Sequence, residues 1–200
     1  MSDESRVTAL MEEVRAREAL TYVMRAAVQR GLVDVLGGNA SVRVDGGFVI
    51  TPSQVPKDLL RPWDMVFVSW DGEWVGPRKP SMEWRMHKLI YEVRPDAGAV
   101  LHLHNRTALA LHEAGLGVRP GDYVEAHALG DCVAIVPFMP AGTEELASEV
   151  AKAMKVCRAA VLLRHGIVVA AENLYIALDA AEALEDLSAV AVIKNLAENR

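Results

Sequence analysis

The chain has 200 residues, enough for one sizeable core, with 52% hydrophobic and 24% charged residues and a formal net charge of −6. That balance fits a soluble globular protein. An acidic chain without a Lys/Arg block argues against a nucleic-acid surface, since neutralising phosphates takes clustered cations.

The opening stretch "MSDESRVTAL" lacks a basic segment followed by an apolar one, so no signal peptide is expected. No apolar run is long enough to span a bilayer; the C-terminal one is broken by Asp179, Glu182, Glu185 and Asp186. Cys132 and Cys157, in no CxxC spacing, read as buried thiols of a reduced, cytoplasmic protein in preference to the alternative, a disulfide between them.

In chain order, residues from about Val7 to Arg30 have helical periodicity, with Gly31 as a C-terminal cap. Two β-rich runs, Ala40–Val44 and Phe48–Thr51, flank Asp45-Gly46-Gly47 and predict a hairpin; Asp71-Gly72 predicts a second. "KPSMEWRMHKLIYEVRP" predicts a helix with Ser81 as N-cap and Pro95 as terminator. "AVLHLH" reads as a strand, with Asn105 capping a helix over Arg106–Ala114. A strand over "CVAIVPF", a helix capped by Thr143, two strand runs broken at Arg164-His165-Gly166, and a long helix capped by Asn173 complete the chain. The apolar final helix, rich in Ala and Val, suits core or interface, and core is the preferred expectation. Hairpins mixed with helices predict a single α/β or α+β domain over residues 1–200, with helices flanking a largely antiparallel sheet.

"GAVLHLHNRTAL" carries the chemical signal. Residues i and i+2 of a strand share a face, so His102 and His104 are neighbours about 7 Å apart at Cα. Two imidazoles so placed suit a metal, or one core histidine and one at the strand end. His165, at a strand break before Gly166, is a third candidate ligand or a turn histidine. Glu83 opens its helix, where it could compensate the helix dipole, bind a metal or act as a base. Three His and a carboxylate suit a borderline divalent cation such as Zn²⁺. His87, one turn beyond Glu83, is a rival ligand; His112 and His127 read as structural or surface residues. "GGNAS" is either a hairpin entry or an anion cradle of backbone N–H groups.

From about Ala19 to Ala191 the chain resembles the class II aldolase/adducin family. The landmarks are "GGNASVR", "ITPS", "PSMEWRMHKLIYEVRPDAGAVLHLH", "AGT" and "LLRHGIVVAAENLYIALDAAEALE". The resemblance implies an aldolase cleaving a ketose 1-phosphate, such as L-fuculose 1-phosphate, to dihydroxyacetone phosphate and an aldehyde through a metal-stabilised enediolate. It implies His102, His104 and His165 as metal ligands, with Glu83 as catalytic carboxylate and further ligand. It implies Tyr123 as a proton donor reaching a neighbouring subunit's site, hence a homotetramer. It implies a phosphate site from Gly38, Asn39, Thr51, Ser53 and Ser81. Two positions depart: Gln54 stands in place of the family's Gly, and Met82, whose thioether is a poor phosphate donor, in place of its second Ser. Decarboxylation, dehydration, epimerisation and aldol cleavage of unphosphorylated substrates use the same apparatus. A non-enzymatic module like the adducin head is the remaining alternative.

Overall fold

The structure, a computed structural model, describes residues 3–198. The long helix α1 (Asp3–Gln29) ends at Gly31, whose φ of 73° is the left-handed conformation expected of that cap. The first hairpin forms as β1 (Asn39–Val44) and β2 (Gly47–Ile50), with Val44 opposite Gly47. The second forms as β3 (Val66–Ser69) and the two-residue β4 (Trp74–Val75).

There follow α2 (Trp84–Val93), β5 (Ala99–Leu103), α3 (Arg106–Glu113), β6 (Val133–Val136), α4 (Glu144–Met154), β7 (Ala159–Leu162), β8 (Gly166–Ala171) and α5 (Leu174–Glu198). Short 3₁₀ turns occupy Pro120–Asp122 and Val124–Leu129. Thr143 caps α4 through a bond from Leu146 N, and Asn173 Oδ1 accepts from Tyr175 N and Ile176 N at the start of α5.

The eight strands form one sheet in the order β4-β3-β2-β1-β5-β8-β7-β6. Its pairings are antiparallel except for β6 with β7, so the sheet is mixed and mostly antiparallel. Helices α1, α3 and α5 cover one face, over Ala40, Leu101, Leu103, Ile167 and Val169. Helices α2 and α4 cover the other, over Phe48, Val66, Val100, Leu162 and Val168. All five residues of β5 are therefore buried, and the strand reads as a continuous apolar run apart from His102.

Four expectations change. Cys132 and Cys157 are disulfide-bonded, not free thiols. They lie just before β6 and β7, parallel neighbours in the sheet, which brings their Cα atoms to 5.3 Å. Ser81 is not the N-cap of α2: its N–H bonds Thr51 O, and Glu83 takes the capping position. Asn105 precedes α3 but its side chain donates to Ala181 O in α5, while the Glu185 carboxylate accepts from Thr107 N and Ala108 N instead. The last helix serves the core only as far as Ser188; beyond it Val190, Ile193 and Leu196 are exposed. Among the described residues no helix is long and apolar enough to cross a membrane.

Candidate metal centre

Alternation along β1 and β5 decides what meets. Asn39 and Ser41 point to the α2/α4 face, as does His102, which sits opposite Asn39 in the ladder. Helix α2 starts above this spot and delivers Glu83 to it. His104 follows the end of β5, and His165 immediately precedes β8, the strand paired with β5. The ring centroids of His102, His104 and His165 are 4.6–5.5 Å apart. One nitrogen from each lies within 4.8 Å of the others, a spacing that could hold a metal ion.

Hydrogen-bond direction shows what the cluster needs. His102 Nδ1 donates to Ile167 O over 2.8 Å, which in the neutral ring leaves Nε2 a bare lone pair. That nitrogen lies 3.3 Å from Glu83 Oε2, and His165 Nε2 lies 3.5 Å from Glu83 Oε1. Glu83 Oε1, His102 Nε2 and His165 Nδ1 are buried and make no hydrogen bond. Glu83 Oε1 and His102 Nε2 are thus bare acceptors in a dry site, which a cation would satisfy, and three imidazoles with a carboxylate fit a divalent ion.

Burial pushes His104 and His165 down to about 4, reinforced by the neighbouring rings, so both are neutral and ready to ligate near pH 7. Burial pushes the Glu83 carboxyl up, but His102, His165, the Asn39 amide and His87 outweigh it and hold it below its ordinary value. The approach of the loops depends on glycine. A Cβ on Gly37 would lie 2.8 Å from His104 Nδ1, and one on Gly38, at φ 65°, would lie 2.7 Å from His102 O.

His87 does not ligate. Its Nε2 is 2.5 Å from Asn39 Oδ1 and its Nδ1 is 2.7 Å from Ser41 Oγ. Asn39 Nδ2 in turn donates to Glu83 Oε2 over 2.8 Å. Sequence reading missed these partners of Glu83, although polar Asn39 and Ser41 alternating on a buried strand, and His87 one turn before Tyr91, were the available signal. His112 bonds Ala108 O at 2.7 Å, and His127 is exposed.

The five residues singled out for phosphate lie on connected backbone. Thr51 N bonds Ala40 O, Ser81 N bonds Thr51 O, and Ser53 N bonds Lys79 O. Three of their side chains are already engaged: Thr51 Oγ1 accepts from Ala40 N, Ser81 Oγ accepts from Glu83 N, and Asn39 serves Glu83 and His87. Gln54 holds φ 57°, the conformation glycine adopts without cost. Met82 is exposed and packs toward Gly142. Tyr123 is not brought to the cluster within this chain. It packs on the α1/α3/α5 side and lines a cavity of about 260 Å³ with Arg119 and Lys194.

The sequence profile for the "Class II Aldolase and Adducin N-terminal domain" matches residues 18–192. The chain belongs to the class II aldolase/adducin family. It is 37% identical over 175 residues to a 5-methylthioribulose-1-phosphate/5-deoxyribulose-1-phosphate aldolase of Rhodospirillum rubrum, covering 88% of this chain and 79% of that one. It is 35% identical over 158 residues to an L-fuculose phosphate aldolase of Escherichia coli, covering 79% and 74%. The crystal structure of an L-fuculose-1-phosphate aldolase from Thermus thermophilus superimposes with a TM-score of 0.82 at 31% identity, covering 94% of this chain and 97% of that one. Members named for different sugar phosphates are thus about equally similar, and the family is fixed more tightly than the substrate.

Proposed function

We propose that this chain is a metal-dependent aldolase that reversibly cleaves a ketose 1-phosphate to dihydroxyacetone phosphate and an aldehyde. The observation that carries the reading is the buried Glu83 carboxylate facing the Nε2 lone pair of His102 beside the rings of His104 and His165. His102, His104, His165 and Glu83 would hold the ion. A divalent cation there, Zn²⁺ by the chemistry of the donors, supplies positive charge against the negative charge that builds on substrate oxygens as the carbon–carbon bond breaks.

The chain's own groups do the rest. Glu83, 5% exposed and ionised near neutral pH, exchanges a proton with the carbon of the dihydroxyacetone phosphate fragment; its burial keeps water from competing. Tyr123 of a neighbouring subunit protonates the aldehyde oxygen in the synthetic direction, which requires a homo-oligomer, a tetramer by family resemblance. Gly38, Asn39, Thr51, Ser53 and Ser81 form the anion pocket; the backbone N–H groups of Thr51, Ser53 and Ser81 are already engaged, so these three contribute through their hydroxyls, which keep a proton to donate even where they accept from Ala40 N or Glu83 N.

The test is metal content of the purified chain together with cleavage of L-fuculose 1-phosphate, 5-deoxyribulose 1-phosphate and 5-methylthioribulose 1-phosphate. About one ion per chain and chelator-sensitive cleavage of one of them is expected. Glu83→Gln should lower that rate by about 10²–10⁴-fold, the usual worth of a positioned base; near-native turnover would overturn Glu83 as the base. Met82 at the anion pocket favours one second reading, an unphosphorylated substrate. Cleavage of the free sugar at a kcat/KM matching its phosphate would establish that reading.

A further inference from the structure

Glu83 is the last member of a buried chain of hydrogen bonds running Tyr91, Ser41, His87, Asn39, Glu83. All five are buried, and His87 and Ser41 are fully so. An ionised carboxylate can only accept, so Asn39 must turn its amide N–H₂ toward Glu83 Oε2. Its Oδ1 then faces His87 Nε2, which must carry the ring proton. The ring's Nδ1 is left as an acceptor and takes the Ser41 hydroxyl proton. Ser41 Oγ has then used its proton and accepts from Tyr91 O–H. Every link has one permitted direction, and the direction is imposed by the carboxylate.

We propose that His87, acting through Asn39, is a positioning residue that fixes the rotation of the Glu83 carboxylate and leaves Oε1 as its free oxygen. The unequal state of the two oxygens carries this: Oε2 accepts from Asn39 over 2.8 Å, and Oε1 accepts from nothing. The carboxylate decides which end of the Asn39 amide it meets, but one hydrogen bond leaves the amide free to swing about its side-chain torsions. The His87 N–H, 2.5 Å from Oδ1, holds the other end of the amide and so fixes its plane and position. In proton exchange, the substrate C–H bond breaks, its electron pair stays in the enediolate, and the proton forms an O–H bond at Oε1.

The assignment of work to Oε1 rests on Glu83 being the base. The test therefore reads the relay separately from activity. Long-range ¹H–¹⁵N correlation spectra of the full chain, as purified and after chelation, report the His87 tautomer. The Nε2–H form is expected, and the Nδ1–H form would overturn the relay. Deuterium uptake into dihydroxyacetone phosphate from D₂O then supplies kcat and KM. His87→Leu removes the ring N–H and should lower kcat about 100-fold, the cost of a misplaced catalytic group. KM should change less than about twofold and metal content should hold near one ion per chain, because the His87 side chain itself bonds only Asn39 and Ser41 and none of the residues that would hold the ion. His87→Gln, whose amide N–H falls near the ring Nε2 position, should restore kcat to within about fivefold. Equal kcat in His87→Leu and the parent, or equal loss in the Leu and Gln variants, would overturn the proposal. Exchange surviving in Glu83→Gln would instead fail the base assignment, while the tautomer measurement still decides the relay.

Discussion

The two halves of the candidate site are built differently. On the inner half, Asn39, Glu83, His87 and His102 are nearly or wholly excluded from solvent, and apart from Glu83 Oε1 and His102 Nε2 each side-chain polar atom has a hydrogen-bond partner. On the outer half, Ser53, Gln54 and Met82 lie on connecting segments, and Tyr123 stands between two 3₁₀ turns across the sheet. A group locked by several partners can change only with all of them. A loop position can change alone, which is how one fold serves several substrates. The two departures from the pattern that the resemblance implies, Gln54 and Met82, both fall on the outer half.

The largest expected effect breaks this division. His104 is the more exposed histidine of the strand pair, yet in the proposed centre it shares one ion with buried His102. His104→Ala should therefore drop bound metal well below one ion per chain and lower cleavage by at least about 10³-fold, as loss of the activating charge implies. Unchanged metal content would confine the centre to the inner half.

A second effect sharpens it. His87 is held at about 3, and His104 and His165 at about 4, against 6.5 in the unfolded chain, each by burial first. Between pH 6.5 and 4 the unfolded metal-free chain thus binds protons that the folded chain refuses. Stability is full above about pH 6.5 and falls as pH drops toward 4. Fully buried His87 alone accounts for about 1.4 kcal/mol per pH unit across that window; the more open His104 and His165 add less. Urea midpoints of the chelated protein at pH 7, 6 and 5 check this. His87→Gln should flatten the slope by about one proton, and an unchanged slope would show that His87 is not the buried neutral ring described.

Much of the scaffold was legible because its signals are local. The Asp45-Gly46 turn, the Thr143 and Asn173 caps and the alternation of His102 and His104 all act within a few residues. What escaped joins residues far apart in the chain. Glu185 caps α3 from 77–78 positions away, Asn39 meets Glu83 across 44 and His87 across 48, and Cys132 and Cys157 meet through strand order. Periodicity names the face a side chain occupies but not its neighbour there. Topology settles the neighbour, and His87 changes from rival ligand to relay once β1 is known to lie beside β5 under α2.

The smallest effect lies on the outer half and tests whether its departures are tolerated or used. Gln54 holds φ 57°, at a conformational cost of about 1 kcal/mol that glycine does not incur. Gln54→Gly removes that cost but gives the unfolded chain more freedom, which offsets roughly half of it. The net gain should be about 0.5 kcal/mol, or about 1–2 °C in Tm for a chain of this size, measured by calorimetry. If Gln54 only replaces a glycine, kcat and KM for the cleaved ketose phosphate will stay within about twofold of the parent. A raised KM with unchanged kcat would mean that the Gln54 amide contacts substrate equally in ground and transition states. Strain at this turn would then be retained for binding, and the outer half would hold a specificity contact at the position where the chain leaves its family's pattern.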